Sequence, residues 1–261
     1  MKKLLTSFVL FAFATHLLAQ DGQNDLKNFR FGLLAVPSVN WYKPDDAKKF
    51  ASNGSKIGFG WGLQMEFRLN NLISLATGLQ VNYDRGTLTF TDTANYLYDT
   101  KNQEILSIKD TAGKKYVAYK LDDRFYKTTY VMLPLYLKMK TKEIGAMTYY
   151  GEFGLNTGFR LKNKVNDNVT QYTTNFPKTS LTDLTNTDDM NLFKFALHIG
   201  GGAEYNLSGS TSLFFGLSYN LGFSNVLKKE SKYLLKNDAT PTPTVQNAVA
   251  NNFALTVGIL F

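Results

Sequence analysis

FKFALHIGGGAEYNLSGSTSLFFGLSYNLGF, residues 193–223, is the stretch whose pattern decides the fold. Phe193, Phe195, Leu197, Ile199, Ala203 and Tyr205 share one parity, while Lys194, Ala196, His198, Gly200, Gly202 and Glu204 share the other. Beyond the polar turn Asn206 to Thr211 the alternation resumes. Leu213, Phe215, Leu217, Tyr219, Leu221 and Phe223 now stand against Phe214, Gly216, Ser218, Asn220 and Gly222. Successive side chains of a strand point to opposite faces, so this is a hairpin with one apolar face and one small or polar face. Each arm exceeds the roughly 9 to 11 residues with which a tilted strand crosses a bilayer. The pattern predicts one hairpin of a membrane-spanning barrel.

Working outward, the same alternation covers about 29–42, 56–69, 73–85, 126–140, 147–161 and 253–261. With the opening hairpin this makes an all-β, eight-stranded antiparallel up-and-down transmembrane β-barrel. Pro37 cannot donate a ladder hydrogen bond and marks a local irregularity in the first strand. Beyond Arg85 the alternation fades, but Thr87 to Phe90 and Tyr116 to Tyr119 keep β-type residues. That pair is expected to project past the membrane as a hairpin turning near Asp110 to Gly113. Lys43 to Ser55, Lys162 to Met190 and Leu227 to Ala248 are expected to be loops, the second dominated by Asn, Thr and Asp.

The polar parity says which face looks inward. A soluble lipid-carrying barrel would place Lys, Glu and Thr on its outer surface. Here that parity is mostly Gly, Ala, Ser and Asn, which suits the cramped interior of an eight-stranded barrel. The apolar parity carries no charge in any core segment, as a lipid face requires, since Arg or Lys near the midplane costs roughly 2–4 kcal/mol. Connections after the second, fourth and sixth strands are short and the others long, matching short periplasmic turns and long external loops. Both termini are then periplasmic. Phe29, Trp41, Tyr42, Phe67, Tyr149 and Phe261 near the strand ends are expected to form interfacial girdles.

Bulk properties narrow the classes. No run of about 18 apolar residues follows the N-terminus, which excludes transmembrane helices and leaves a barrel open. Residues 1–19 have the form of a signal peptide: Lys2 and Lys3, the apolar Leu4 to Leu18, and a cleavage site ending at Ala19. Residues 20–28 form a periplasmic N-terminal tail, and 29–261 the outer-membrane barrel. The chain has no cysteine, so it has neither a disulfide framework nor a lipid-bearing Cys. The net charge of +8 falls to +6 when Lys2 and Lys3 leave, and it is dispersed among acids, so no nucleic-acid partner is expected.

The strand Tyr130-Val131-Met132-Leu133-Pro134-Leu135-Tyr136-Leu137-Lys138 resembles the aromatic, aliphatic, Pro-Leu and Lys strand of the PorT-type outer-membrane β-barrel family of Bacteroidetes. Gly200-Gly201-Gly202-Ala203-Glu204-Tyr205, Gly154-Leu155-Asn156-Thr157-Gly158 and the terminal Phe261 are similar as well. The resemblance spans essentially the whole mature length. It implies an outer-membrane barrel and, for the founding member, a part in type IX protein secretion. The final aromatic resembles the signal by which the barrel-insertion machinery recognises its clients.

Inward positions include Arg30, Glu66, Arg68, Asp84, Lys138, Lys140, Glu152, Arg160, Lys194, His198 and Glu204. Charges in a narrow lumen must pair, because an unpaired buried ion costs several kcal/mol. An internal salt-bridge plug is expected, against the sharper alternative of a gated polar pathway for a proton or small ion. His198 is the one histidine left after signal removal, and a single imidazole without Cys makes no structural zinc site. A triad of His198 with Ser218 and Glu152 or Glu204 would sit mid-strand, poorly placed to act on lipid. Gly58-Phe59-Gly60-Trp61-Gly62 has period two inside an alternating strand and marks interior crowding, not a nucleotide loop. Tyr96, Tyr98, Tyr172 and Tyr233 are candidates for a loop surface that meets a partner. The expectation is a non-catalytic protein with no cofactor or metal, embedded in outer-membrane lipid. It would act in secretion-complex assembly or envelope organisation, or bind an extracellular ligand through its loops; a lipid-modifying enzyme is the third class.

Overall fold

The computed structural model describes residues 28–91, 94–173, 175–236 and 241–261. The segments read above as a signal peptide (1–19) and a tail (20–28) lie outside the described residues, residue 28 apart. Eight long strands follow one another: β1 Phe29–Pro44, β2 Lys56–Arg68, β3 Ile73–Phe90, β4 Tyr116–Lys140, β5 Met147–Gln171, β6 Phe193–Ser208, β7 Thr211–Gly222 and β8 Ala248–Leu260. Each pairs antiparallel with its neighbour in sequence. β1 then pairs with β8, from Gly32↔Leu260 to Pro44↔Ala248, and the ring closes. Closure leaves no strand edge in the membrane zone, where an unpaired backbone group has no water to bond.

Parity sets the two faces. Leu33, Trp61, Leu135, Phe153, Leu217 and Phe253 stand exposed on the outer wall, while Arg30, Glu66, Lys138, Asn156, His198 and Glu204 are buried inside. Phe29 packs on Phe67 and Phe31 on Phe261 at the turn end, with ring centroids 5.0 and 5.7 Å apart. Trp41, Tyr219 and Phe253 cluster at the opposite rim. Tyr42 does not join that girdle. It follows the outward Trp41, so it points inward, and it is 1% exposed against Tyr126.

Proline interrupts the ladder without shifting it. β1 and β8 pair at Ala35↔Val257 and again at Ser38↔Ala254, with no pairs at Val36 and Pro37. The β3–β4 ladder lapses in the same way, between Thr77↔Leu135 and Gln80↔Met132, beside Pro134. Both prolines lack the N–H that the ladder needs. The interior is not wholly polar either. Leu34, Val36, Phe214, Ala254 and Leu260 form a buried apolar wall on β1, β7 and β8.

The expected loops are largely structured. β4 and β5 run 25 residues each, far more than a bilayer needs, and their upper halves rise above the belt with β3. β5 continues to Gln171 because Asn163, Val165, Asp167 and Val169 keep alternating inward past Leu161. β8 begins at Ala248 and not near 253, since Ala248, Ala250 and Asn251 are also buried. The projecting hairpin exists, but its inner partner is Ala94–Asp99, which pairs with Tyr116–Lys120 on one side and Glu104–Leu106 on the other. Short strands also occupy Phe50–Ser52, Lys178–Thr185, Glu230–Lys236 and Pro243–Val245. Leu235 and Lys236 pair with Asn95 and Ala94, joining the last long connection to the β3–β4 excursion.

These pieces enclose a second core outside the membrane. Tyr42, Leu88, Tyr96, Leu121, Tyr126 and Met190 are among its members, all 1% exposed or less. The result is a packed cap on the barrel end opposite the short turns.

Candidate functional site

Five strands deliver the lower charge cluster. Arg30 Nη2 stands 3.0 Å from Glu66 Oε2 and 2.6 Å from Glu204 Oε2. Lys138 Nζ lies 2.7 Å from Glu204, 3.6 Å from Glu66 and 3.7 Å from Glu152, and 3.9 Å from the centre of the Tyr150 ring. Lys140 pairs with Glu66 and, at 3.0 Å, with Glu204. Three cations thus meet three carboxylates, so the cluster is neutral and every member is held by at least one opposite charge. Alternation explains the assembly: each contributor occupies an inward position, and the closed ring brings them to one level.

A hydrogen-bonded relay lies above the cluster. The His198 ring stacks on Tyr136 at 3.8 Å, its Nδ1 is 2.9 Å from Asn220 Oδ1, and its Nε2 stands 3.5 Å from Glu152. Tyr136 Oη donates to Asn156 Oδ1, Asn156 Nδ2 to Asn220 Oδ1, and Asn220 Nδ2 to Asn252 Oδ1, at 2.6 to 2.8 Å. No hydrogen bond joins Ser218 to His198 among the described residues; the imidazole uses Asn220 instead. Among the described residues no group of three or more His, Cys, Asp or Glu side chains is arranged to hold a metal ion.

Higher still, Lys194 pairs with Asp84 and sits 4.6 Å over the Tyr130 ring. Among the described residues Arg160 makes no ion pair. It donates to the carbonyls of Asn191 and Met190, at 3.2 and 3.4 Å, and so ties the barrel to the cap. Arg68, at the turn end, departs from the expected pairing: among the described residues it has no ion pair, and its Nη1 is buried without a hydrogen-bond partner. Of the eleven inward residues singled out, Arg30, Glu66, Lys138, Lys140, Glu152, His198 and Glu204 come together, Asp84, Lys194 and Arg160 serve the upper lumen, and Arg68 stands apart.

The lumen retains little space. A cavity of about 50 Å³ lies beside His198, Asn220 and Glu152, room for about three waters. A wider recess of about 470 Å³ opens at the turn end, lined by Arg30, Arg68, Lys140, Lys142 and Glu204. At the other end the cap core packs over the lumen: Tyr42 reaches Thr128, which donates to Asn163 at 2.8 Å and touches Met190.

The cap contains polar groups that the strand pattern did not single out. Arg124 makes a two-pronged bond to Asp167, at 2.8 and 2.7 Å, with both side chains fully buried. Asp189 accepts from the Ser231 hydroxyl and, at 2.6 Å, from the Lys232 backbone N–H. Burial raises the Asp189 carboxyl above its ordinary value of 3.8, against the lowering pull of Ser231 and Arg124. The continued alternation of 163–169 was the available signal, hidden by the Asn- and Asp-rich composition. The tyrosines expected at a loop surface mostly sit in this core. Tyr96 is 0% and Tyr98 9% exposed, and Tyr233 is partly buried; Tyr172, at 44%, is the exposed one.

A closed ring of eight strands with a lipid-compatible exterior and a charge-filled interior narrows the comparison to one class, and the model of the outer membrane protein β-barrel domain family matches residues 18–228. The chain belongs to that family. As an outer-membrane β-barrel protein it resides in the bacterial outer membrane. No curated protein matches it. Among solved structures it is similar to Neisserial surface protein A, with 12% identity over 89% of this chain and 96% of that one and a TM-score of 0.39. It is also similar to Ail, the attachment invasion locus protein of Yersinia pestis (10%, 90% and 100%, 0.32). A third is the outer membrane protease OmpT from Escherichia coli (11%, 93% and 99%, 0.36).

Proposed function

We propose that this outer-membrane barrel is non-catalytic and non-conducting, and that it acts through its surfaces, in protein secretion or envelope organisation. The filled lumen is the observation that carries the reading: the neutral ion cluster, the His198 relay and the Lys194–Asp84 pair leave an internal cavity of only about 50 Å³. A pathway for ions or a substrate pocket needs more room and a mobile charge. His198 is spent on Asn220 and Tyr136, away from any lipid-facing surface. The cap is taken as external and both chain ends as periplasmic, because the ends share the barrel rim with the three short turns. The likeness of Tyr130 to Lys138 to the PorT-type strand supports secretion-complex proteins as partners.

Deleting the gene and profiling exported proteins tests this reading. Lost cargo, regained only with the intact chain, is the expected result; unchanged export removes the secretion role. A second reading, adhesion or ligand binding through the cap, has its own observation. Phe176 is 60% exposed at the tip between β5 and Lys178–Thr185 and holds a φ of 43°, a conformation costly for a bulky side chain. Normal export with lost attachment after replacement of residues 162–190 would favour it. Loss of a lipid modification on His198→Ala alone would favour an enzyme instead.

A further inference from the structure

Just above the apolar belt, the outer wall carries like charges in register. Arg85 on β3 stands directly opposite Lys127 on β4, and Lys127 directly opposite Lys164 on β5. Lys162 lies two pairs nearer the belt, opposite Thr129, next to the exposed Leu161. The row faces outward, since the adjoining Asp84, Thr128 and Asn163 are buried. Neighbouring strands are about 4.8 Å apart, so three cations stand along roughly 10 Å of wall.

Such an arrangement opposes folding, because like charges directly across a ladder repel. One carboxylate answers it. Asp183 lies 2.5 Å from Lys127 and is positioned by its own backbone N–H, which donates to Asn166 Oδ1 at 2.9 Å. The other acids on this wall are engaged higher up: Thr170 donates to Asp122, and Asn53 and Thr89 donate to Asp123. Arg85, Lys162 and Lys164 have no ion pair among the described residues, and Arg85 reaches only the Asp84 carbonyl, at 3.0 Å.

We propose that Arg85, Lys127, Lys162 and Lys164 form a binding site for the phosphate groups of anionic lipids in the external leaflet. The leaflet rests on the reading of the cap as external. Position selects the ligand: the row begins where the lipid-facing residues Val131, Phe159 and Leu161 end, which is the depth of the head groups. Phosphate supplies the negative charge that the wall lacks, and the rigid β3–β4–β5 ladder holds the cations ready to receive it.

The test uses the full mature chain refolded into phosphatidylcholine vesicles, with and without phosphatidylglycerol. Heat-modifiable gel mobility reads stability, and native mass spectrometry after detergent extraction reads retained phosphatidylglycerol. The mature wild-type chain should melt higher with phosphatidylglycerol and retain it. Arg85→Gln/Lys127→Gln/Lys164→Gln should lose the shift and retain about tenfold less, as expected when several phosphate contacts go. Lys101→Gln/Lys115→Gln/Lys229→Gln, which removes equal charge elsewhere in the cap, should behave as wild type. Lys164→Gln alone keeps the test valid if the triple variant fails to fold, and should retain less lipid. Equal retention by the row variants and wild type overturns the site, as does full displacement by inorganic phosphate, which would mark a free-oxyanion site. Protease added to intact cells checks the leaflet at the tip that carries the exposed Tyr172 and Phe176. If the tip is cleaved and lipid selectivity is absent, the lipid site fails alone; if the tip is protected, the external assignment and the proposal fall together.

Discussion

Lys138 shows how a charge survives in a barrel lumen. Its side chain is 0% exposed, yet three carboxylates lie within 3.7 Å and the face of Tyr150 covers it. Glu204, like Glu66, is shared by Arg30, Lys138 and Lys140, so neutralising it loosens the hold on all three cations. Glu204→Gln should destabilise the barrel by about 3–5 kcal/mol, the usual cost of breaking a buried pair. The temperature at which gel mobility converts to the unfolded form measures it. Gly154 makes a steric counterpart. A Cβ there would stand 2.1 Å from the Leu135 carbonyl oxygen, a backbone atom that cannot swing aside. Gly154→Ala should lower the same conversion temperature, whereas alanine at Gly145, where nothing lies within 4 Å, meets only the strain of φ 66° in a turn.

At the scale of elements, β4 and β5 matter most because they are lipid-facing strands below and cap scaffold above. Arg124 and Asp167 cross-link their upper halves inside the cap core. Asp167→Ala leaves the Arg124 guanidinium buried without its partner and should cost the cap about 3–5 kcal/mol. Faster proteolysis within 162–190, with the barrel still heat-modifiable, is the expected readout. Asp189 gives the cap a pH dependence of unusual sign. Its carboxyl is raised above 3.8 by burial, so the unfolded cap releases this proton first as pH rises. Between those two values folding takes up a proton, and this residue's contribution to stability falls as pH increases through the window. Proteolysis followed from acid toward neutral pH should show that loss in wild type, and Asp189→Asn should flatten it.

For the whole molecule, the lumen and cap together predict an electrically silent barrel. Planar bilayers containing the purified protein should show no steady conductance above the bare membrane, because both the ion cluster and the cap core block the axis. The strands were legible from period-two alternation, as in Phe193 to Tyr205, since lipid outside and a crowded lumen inside impose opposite chemistry on successive residues. The cap was not legible. Tyr96, Val165 and Leu234 lie in segments rich in Asn, Thr and Lys, and their burial depends on partners from other connections. The membership of the lower ion cluster could be taken from inward parity, but the partners could not: Lys194 chose Asp84, Arg160 chose carbonyls, and Arg68 found no acid among the described residues. By itself the sequence determined which face of each strand meets lipid, because that choice is local and repeats every second residue. Only the tertiary structure decided which charges meet, and that four long connections pack into one cap, because both depend on ring closure and register between segments far apart in the chain.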